Sequence, residues 1–595
     1  MTRKQKHALL FGSLGLLVAW AAFVTGSLLL GYQEARTGRD EVDAVRVSLP
    51  GGVDPLVQAV STPGDDLAEE SAAEQLRNAA DHFSAARDRT GNPLLAPLRA
   101  LPILGRQVQS AQALASSAGS VARLGADAID ESNSLLTEPS SSGPDRVQVM
   151  QHLIGMLQHY QDRLAEIDLG PSEGLVGPLA RARNRFADEL ATAREAFDRA
   201  IPAAEGSTDF LRGPSRYLLL AANNAEMRAG SGMFLQAGIL TVNNGAFDVD
   251  ELQPTGDLAL PPGAVPLDGD VADRWGWLVP TQEWRNLNLT PRFDVSASLA
   301  AQMWEARGGG PVDGVVAIDA VALRALVAAV GPIQVDGREL GADNLLGDLL
   351  LDQYVDYQGD RDQRRDRLGR VVSEVLTALD QGGWSTADLV RELAAVAPGR
   401  HVLAWSADAA EQRGWNAMGI DGTVPADSML LGVSNRGGNK LDQFLSVQAA
   451  LKVQPGDTAS GAGSAVRVDV TVTNTSPEGL PTYVAGPNLG SPVGEGVYLG
   501  IVSLTIPGSA NGGRIDGGQP TAVGADGPVR VLASQVEVAR GSSTTVTFTF
   551  DLPDGMRQME VLASARVPAT QWQLTAKSPK YHATWWDERP QLLSW

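Results

Sequence analysis

Two polar clusters in the middle of the chain carry residue types suited to holding or transferring a charged group. The first, Asn223-Asn224-Ala225-Glu226-Met227-Arg228 and then Ala229-Gly230-Ser231-Gly232, directly follows the apolar run Tyr217-Leu218-Leu219-Leu220. A polar, glycine-bearing loop after a strand is where open α/β sheets place ligands. This one is neither a Walker loop nor a GxGxxG fingerprint. The second cluster is Asp360-Arg361-Asp362-Gln363-Arg364-Arg365-Asp366-Arg367, followed by Arg370. Arginine grips phosphate oxygens bidentately, and a helix opening there adds free N–H groups and a favourable dipole. The interleaved Asp360, Asp362 and Asp366 also permit a plainer reading, a solvated face of Asp–Arg pairs. A third stretch, Trp284-Arg285-Asn286-Leu287-Asn288-Leu289-Thr290-Pro291-Arg292-Phe293-Asp294, reads equally well as pocket lining and as capping residues before a helix.

Composition narrows the chemistry. The 595 residues include no cysteine, which removes thiol catalysis, disulfides and iron–sulfur clusters. None of the 6 histidines lies between residues 160 and 400, so Ser-His-Asp catalysis and histidine-ligated zinc are not expected in the α/β module read below at 214–455. Lys plus Arg is 48 against 70 for Asp plus Glu, a net charge of −22. That balance argues against nucleic acid and anionic membrane surfaces as general partners. It also makes a local run of arginines conspicuous.

The elements that must position these residues fall into four stretches. Arg3, Lys4 and Lys6 precede twenty-five uncharged residues, Ala8 to Tyr32. A membrane span takes about 20 apolar residues, basic residues ahead of it place the N-terminus in the cytoplasm, and a cleaved signal peptide has a shorter apolar region of about 7–15. Residues 1–32 are therefore expected to form a cytoplasmic tip and single-pass anchor in the cell membrane, with the bulk of the chain extracytoplasmic. Residues 33–213 read as a helical stalk or bundle, with Met150, Leu153, Leu157, Tyr160, Leu164 and Ile167 on one helix face. In 214–455, strand-length apolar runs alternate with helical patterns at 320–330, 362–379 and 386–396, which predicts an α/β layer sandwich. In 456–595, Val466, Val468, Val470 and Val472 alternate with polar residues, as do Val546, Phe548 and Phe550. That period predicts an antiparallel, immunoglobulin-like β-sandwich after a linker at 455–464. The expected fold class is thus α+β multidomain: transmembrane helix, helical stalk, α/β module and β-sandwich.

Tyr217 through Arg228, Gly238-Ile239-Leu240-Thr241-Val242-Asn243-Asn244-Gly245, and Val312 through Asp319 ending in Val330-Gly331-Pro332-Ile333 resemble a bacterial envelope family known as domain of unknown function 4012. Within it, 214–455 looks like a distant relative of the LytR-CpsA-Psr family, single-anchor enzymes that move glycopolymers from a polyprenyl diphosphate carrier onto peptidoglycan. That likeness lies in motif order: a strand and polar loop with Arg228, then Leu252-Gln253-Pro254-Thr255-Gly256-Asp257, then the Ile318-Asp319 strand–helix, then the arginines from Arg361. It implies that Arg228, Arg361, Arg364 and Arg365 hold the diphosphate; Arg285 and Asn224, from the polar clusters above, are further binding candidates. It implies catalytic roles for Asp257 and Arg228, and a magnesium ion organised by Asp257 and Asp319. Thr255 stands where that family has the arginine of its Pro-Arg-Asp. The function so implied is transfer or handling of polyprenyl-diphosphate-linked glycan in cell-wall or capsule assembly, with peptidoglycan as acceptor. The alternative, which Thr255 favours, is a non-catalytic envelope binding or scaffold protein that keeps a phosphate pocket. A third reading is a structural stalk presenting the β-sandwich.

Overall fold

The computed structural model describes residues 30, 32–39, 71–99, 101–139, 143–357, 361–456, 463–487, 493–577 and 580–595. They divide into two compact units, Met1–Glu138 with Gln151–Ile201, and Pro139–Met150 with Pro202–Trp595. The expected span at 8–32 lies, apart from Leu30 and Tyr32, outside the described residues. Among the described residues no helix is long and apolar enough to cross a membrane. The fold class is accordingly corrected to an α+β protein with several mixed sheets and no transmembrane helix in its described part.

The first unit is helical. Helix α1 (Ala72–Gly91) opens on a capping box in which the Ser71 hydroxyl accepts from the Glu74 N–H and the Glu74 carboxylate accepts from the Ser71 N–H. Its small residues Ala73, Ala79 and Ala80 pack on Ala122, Ala126 and Ile129 of α2 (Pro102–Thr137). Helices α3 (Gly143–Ala165) and α4 (Gly177–Arg212) follow, and the unit takes only their residues 151–165 and 177–201.

The second unit begins with a sheet of β1 (Ser215–Met227), β2 (Gly232–Asn243), β3 (Ala246–Val249), β4 (Gln253–Pro254), β5 (Gly314–Ile318) and, after the separate hairpin of β6 (Ile333–Val335) and β7 (Arg338–Leu340), β8 (Val402–Ser406). The order is β3-β2-β1-β5-β8, with β4 paired to β2. Only β1–β5 is parallel. The unbroken apolar run in β1 exists because both faces are covered. Tyr217, Leu219 and Ala221 join one core with α6 (Ala320–Val330) and α7 (Arg361–Gln381). Leu218, Leu220 and Ala222 join the other, with α5 (Phe293–Ala306), Trp284 and Trp304. Each buried leucine contributes about 2 kcal/mol by leaving water, and a strand buried on both sides cannot alternate with polar residues. Helix α8 (Thr386–Val396) is capped by Ser385.

The rest is a two-sheet sandwich, but not the antiparallel, immunoglobulin-like one expected. Its strands are β9 (Ser428–Asn435), β10 (Leu445–Gln454), β11 (Ala465–Asn474), β12 (Tyr498–Pro507), β13 (Asn511–Asp516), β14 (Gln519–Asp526), β15 (Val529–Val538), β16 (Ser543–Asp551), β17 (Gln558–Leu562), β18 (Gln571–Lys577), β19 (Lys580–Trp586) and β20 (Gln591–Ser594). The sheets run β13-β16-β11-β10-β18-β19 and β14-β15-β12-β9-β17-β20. The pairs β10–β18 and β9–β17 are parallel, because late strands return beside the earliest ones. The alternating valines of β11 and Phe548 and Phe550 of β16 do point inward, against Leu431, Val433, Val502 and Leu504. Residues 428–454, which the sequence pattern groups with the α/β stretch, supply a strand to each sheet. The segment between β10 and β11 joins adjacent, fully paired strands instead of linking two domains.

Candidate functional site

The candidate site grows from the end of β1. Regular pairing with β2 shifts between Asn223 and Met227, and the strand's last residues turn toward the sandwich. A Cβ at Gly232 would lie 2.8 Å from the Asn223 carbonyl, so glycine lets the two strands close here. Glu226 and Lys440 form an ion pair with both side chains buried. The Lys440 ammonium lies 5.6 Å from the ring centre of Tyr354 and 5.2 Å from that of Tyr483. The Arg364 guanidinium stacks on Tyr483 at 3.8 Å, and the two tyrosine rings are 5.7 Å apart. Asn223 fixes Tyr354 by donating from Nδ2 to its hydroxyl at 3.1 Å. Burial alone would depress the Lys440 pKa. The Glu226 carboxylate and the two tyrosines outweigh it and hold the ammonium above the usual lysine range.

Arg228 is buried beside this pair. It donates to the carbonyls of Arg285 (2.9 Å), Met227 (3.0 Å) and Asn435 (2.8 Å), and to Asn286 Oδ1 (2.9 Å). Desolvation pushes its pKa down, opposed by Glu226 and Asp442. Arg285 is half-exposed; its hydrogen bonds to Glu283 raise its pKa, with Glu226 and Tyr483 adding to the effect. Arg436 lies 4.8 Å from the ring centre of exposed Trp277 and donates to Gln535 at 2.7 Å. Burial lowers its pKa. In the turn after Trp277, Val279 takes the left-handed conformation at φ 48°, which a β-branched side chain adopts only under strain. The patch therefore gathers Arg228, Arg285, Arg364 and Lys440 around Glu226 and Glu283. Asp442, on the far side of Arg228, is matched by Arg566 at 3.6 Å. Such a cation surplus among aromatic rings suits an anion with an apolar or sugar portion.

The other expected site residues lie elsewhere. Asp319 is the N-cap of α6: Oδ1 accepts from the Val321 (2.9 Å) and Ala322 (3.0 Å) N–H groups. Its Oδ2 accepts from Asn224 Nδ2 at 2.7 Å and lies 2.6 Å from His401 Nδ1. Asn224 also donates to the Ala565 carbonyl at 2.9 Å. Both are buried structural links. Asp257 is exposed in a short turn and pairs with Arg365. Thr255 is buried and donates to the Phe234 carbonyl at 2.9 Å, an inward position that an arginine would not fit. Arg361 opens α7, and its side chain lies outside the described residues. Arg367 is fully buried on Asp348 and Asp336, and Arg370 shares Asp336. Among the described residues no group of three or more His, Asp or Glu could hold a metal ion. Asp319 has all its lone pairs committed and Asp257 has an arginine, so the residues present do not fit the expected magnesium.

Sequence reasoning missed Lys440, Tyr354 and Tyr483, and left Glu226 without a role. Only Glu226 carries a local signal, a carboxylate near the end of a strand buried along almost all its length. His401, which the expected gap in histidines did not reach, contacts Asp319. Residues 212–354 match the model of a family described as a protein of unknown function, DUF4012. The match supports that resemblance, covers Glu226, Arg228 and Arg285, and lends nothing to the LytR-CpsA-Psr likeness. No curated protein matches the chain.

Proposed function

We propose that this chain is a non-catalytic, extracytoplasmic binding protein of the cell envelope. It holds a phosphate-bearing glycopolymer, or the polyprenyl diphosphate that carries one, without transferring it. The observation that carries the reading is the surplus of Arg228, Arg285, Arg364 and Lys440 over Glu226 and Glu283, beside Tyr354 and Tyr483. Transfer from a diphosphate needs charge neutralisation at the leaving group, usually by a metal. Asp257 and Asp319 have protein partners in the roles that would require them free. The finer likeness to the LytR-CpsA-Psr family rests on motif order alone, and Thr255 departs from it.

Calorimetric titration of the purified chain with farnesyl diphosphate tests the reading. Binding is expected, with at least a tenfold weaker Kd for the double variant Arg285→Ala/Arg364→Ala. Equal binding by both proteins, or none by either, overturns it. Release of phosphate or transfer of the prenyl-linked group in the presence of magnesium would restore the enzymatic reading.

A further inference from the structure

The sandwich carries a second surface of different chemistry. In β11 the valines face the core, so the intervening residues face outward. Register across the sheet then lines up Thr545, Thr471, Gln448, Gln571 and Trp586 on five neighbouring strands. The next row is Thr547, Asp469, Ala450, Gln573 and Thr584, and the next Thr549, Arg467, Lys452, Thr575 and His582. Each row crosses four strand spacings, roughly 19 Å at about 4.8 Å apiece.

Three features of this face select an occupant. Its side chains are hydroxyls and carboxamides held in place by one another: Thr471 and Thr545 oxygens are 2.9 Å apart, and Gln448 donates to Gln571 at 3.3 Å. Its fixed charges are few, with the one carboxylate of the three rows shared by two cations. Asp469 accepts from Thr547 (2.8 Å), Arg467 (3.1 Å) and Lys452 (3.2 Å), and edge strand β13 adds Arg514 and Asp516, one of each sign. Finally, β19 presents Trp586 outward, 53% exposed, while its neighbour Trp585 stacks inward on Trp572 at 5.8 Å. A flat, ordered array of mostly uncharged donors and acceptors beside one exposed indole, with a single cation in excess, offers little to a polyanion or an apolar helix. It matches the hydroxyls and the C–H faces of sugar rings.

We propose that the outward face of the β16-β11-β10-β18-β19 part of this sheet binds a neutral polysaccharide chain laid across the strands, with Trp586 stacked on a sugar ring. This rests on the envelope-polymer reading only for the class of ligand, and it uses none of the same residues. The test is retention of the full chain on arrayed glucans, mannans and galactans, with polyol-phosphate polymers and muramyl oligosaccharides as the anionic arm. Trp586→Ala is expected to weaken neutral-glycan retention by up to about tenfold, while Arg285→Ala/Arg364→Ala leaves it unchanged. Neutral retention absent from the unaltered chain, or undiminished in Trp586→Ala, overturns the proposal. Loss of anion binding alone counts against the cation cluster and leaves this surface standing.

Discussion

Arg364 and Arg367 are three residues apart on one helix and belong to different kinds of region. Arg367 is fully buried, donating from Nε and Nη2 to Asp348 at 2.9 and 2.8 Å and from Nη1 to Asp336 at 2.8 Å, with Arg338 and Arg370 completing the network. Every charge there has a protein counterpart of opposite sign. Arg364, one turn earlier, leans over Tyr483 into the cluster of Lys440, Arg285 and Glu226, where cations outnumber carboxylates. One run of arginines thus serves a matched structural network and an unmatched, ligand-facing one. The count of arginines decides nothing about function; the count of carboxylates brought in from other elements does.

The matched network should break hardest. Arg367→Ala leaves Asp348 buried and without its main partner, and removing one member of a buried pair costs about 3–5 kcal/mol. Urea unfolding should show a large fall in midpoint, and a loss under 1 kcal/mol would mean the network is a surface pairing. Glu226→Gln is expected to cost about 3 kcal/mol for the same reason, with a distinctive pH dependence. In the unaltered protein Lys440 has a raised folded pKa. Its contribution is fully present below the unfolded value near 10.4 and is lost as pH rises through the folded one. In Glu226→Gln the buried ammonium loses its partner and its folded pKa falls below the unfolded value. The unfolded chain then binds more protons, so stability rises with pH on approaching 10. Thermal melts from neutral to alkaline pH separate the two; parallel profiles would show that Glu226 does not control Lys440.

Asp319→Ala ranks next. It removes a helix cap, worth about 1 kcal/mol, and leaves Asn224 and His401 short of a partner, for a total near 2 kcal/mol. Added magnesium should shift the melting temperature of neither form. A magnesium-dependent rise in the unaltered protein that Asp319→Ala abolishes would return Asp319 to a metal role.

Legibility in the sequence followed the range of the cause. Tyr217 to Ala222 announced a central strand because burial on both faces is written locally as an unbroken apolar run. The alternating valines from Val466 to Val472 likewise announced a sandwich face. The parallel β10–β18 and β9–β17 pairs were not legible, since they join strands more than a hundred residues apart. Asp319 looked like a ligand because a carboxylate at the end of a strand is equally what a metal and a following helix ask for. Its Oδ1 contacts with Val321 and Ala322 show the helix. Lys440 and Tyr483 lie in unremarkable stretches and acquire meaning only when Glu226 and Arg364 arrive from elsewhere in the fold.

The smallest stability effect falls on a partly exposed residue of the cation cluster. Arg364 is partly exposed, donates to the Tyr357 carbonyl at 3.2 Å and stacks on one tyrosine. An exposed cation–π contact is worth about 0.5–1 kcal/mol, so Arg364→Ala should lower the unfolding free energy by no more than that. Its effect on farnesyl diphosphate binding should be larger, because the variant removes a cation from a patch whose excess positive charge is the attraction. Arg364→Lys separates charge from shape: it keeps the charge but loses the planar stacking and bidentate grip, and should bind between the two. If all three forms bind alike while stability falls as expected, the two ends of this arginine run are both structural, and the contrast between them disappears.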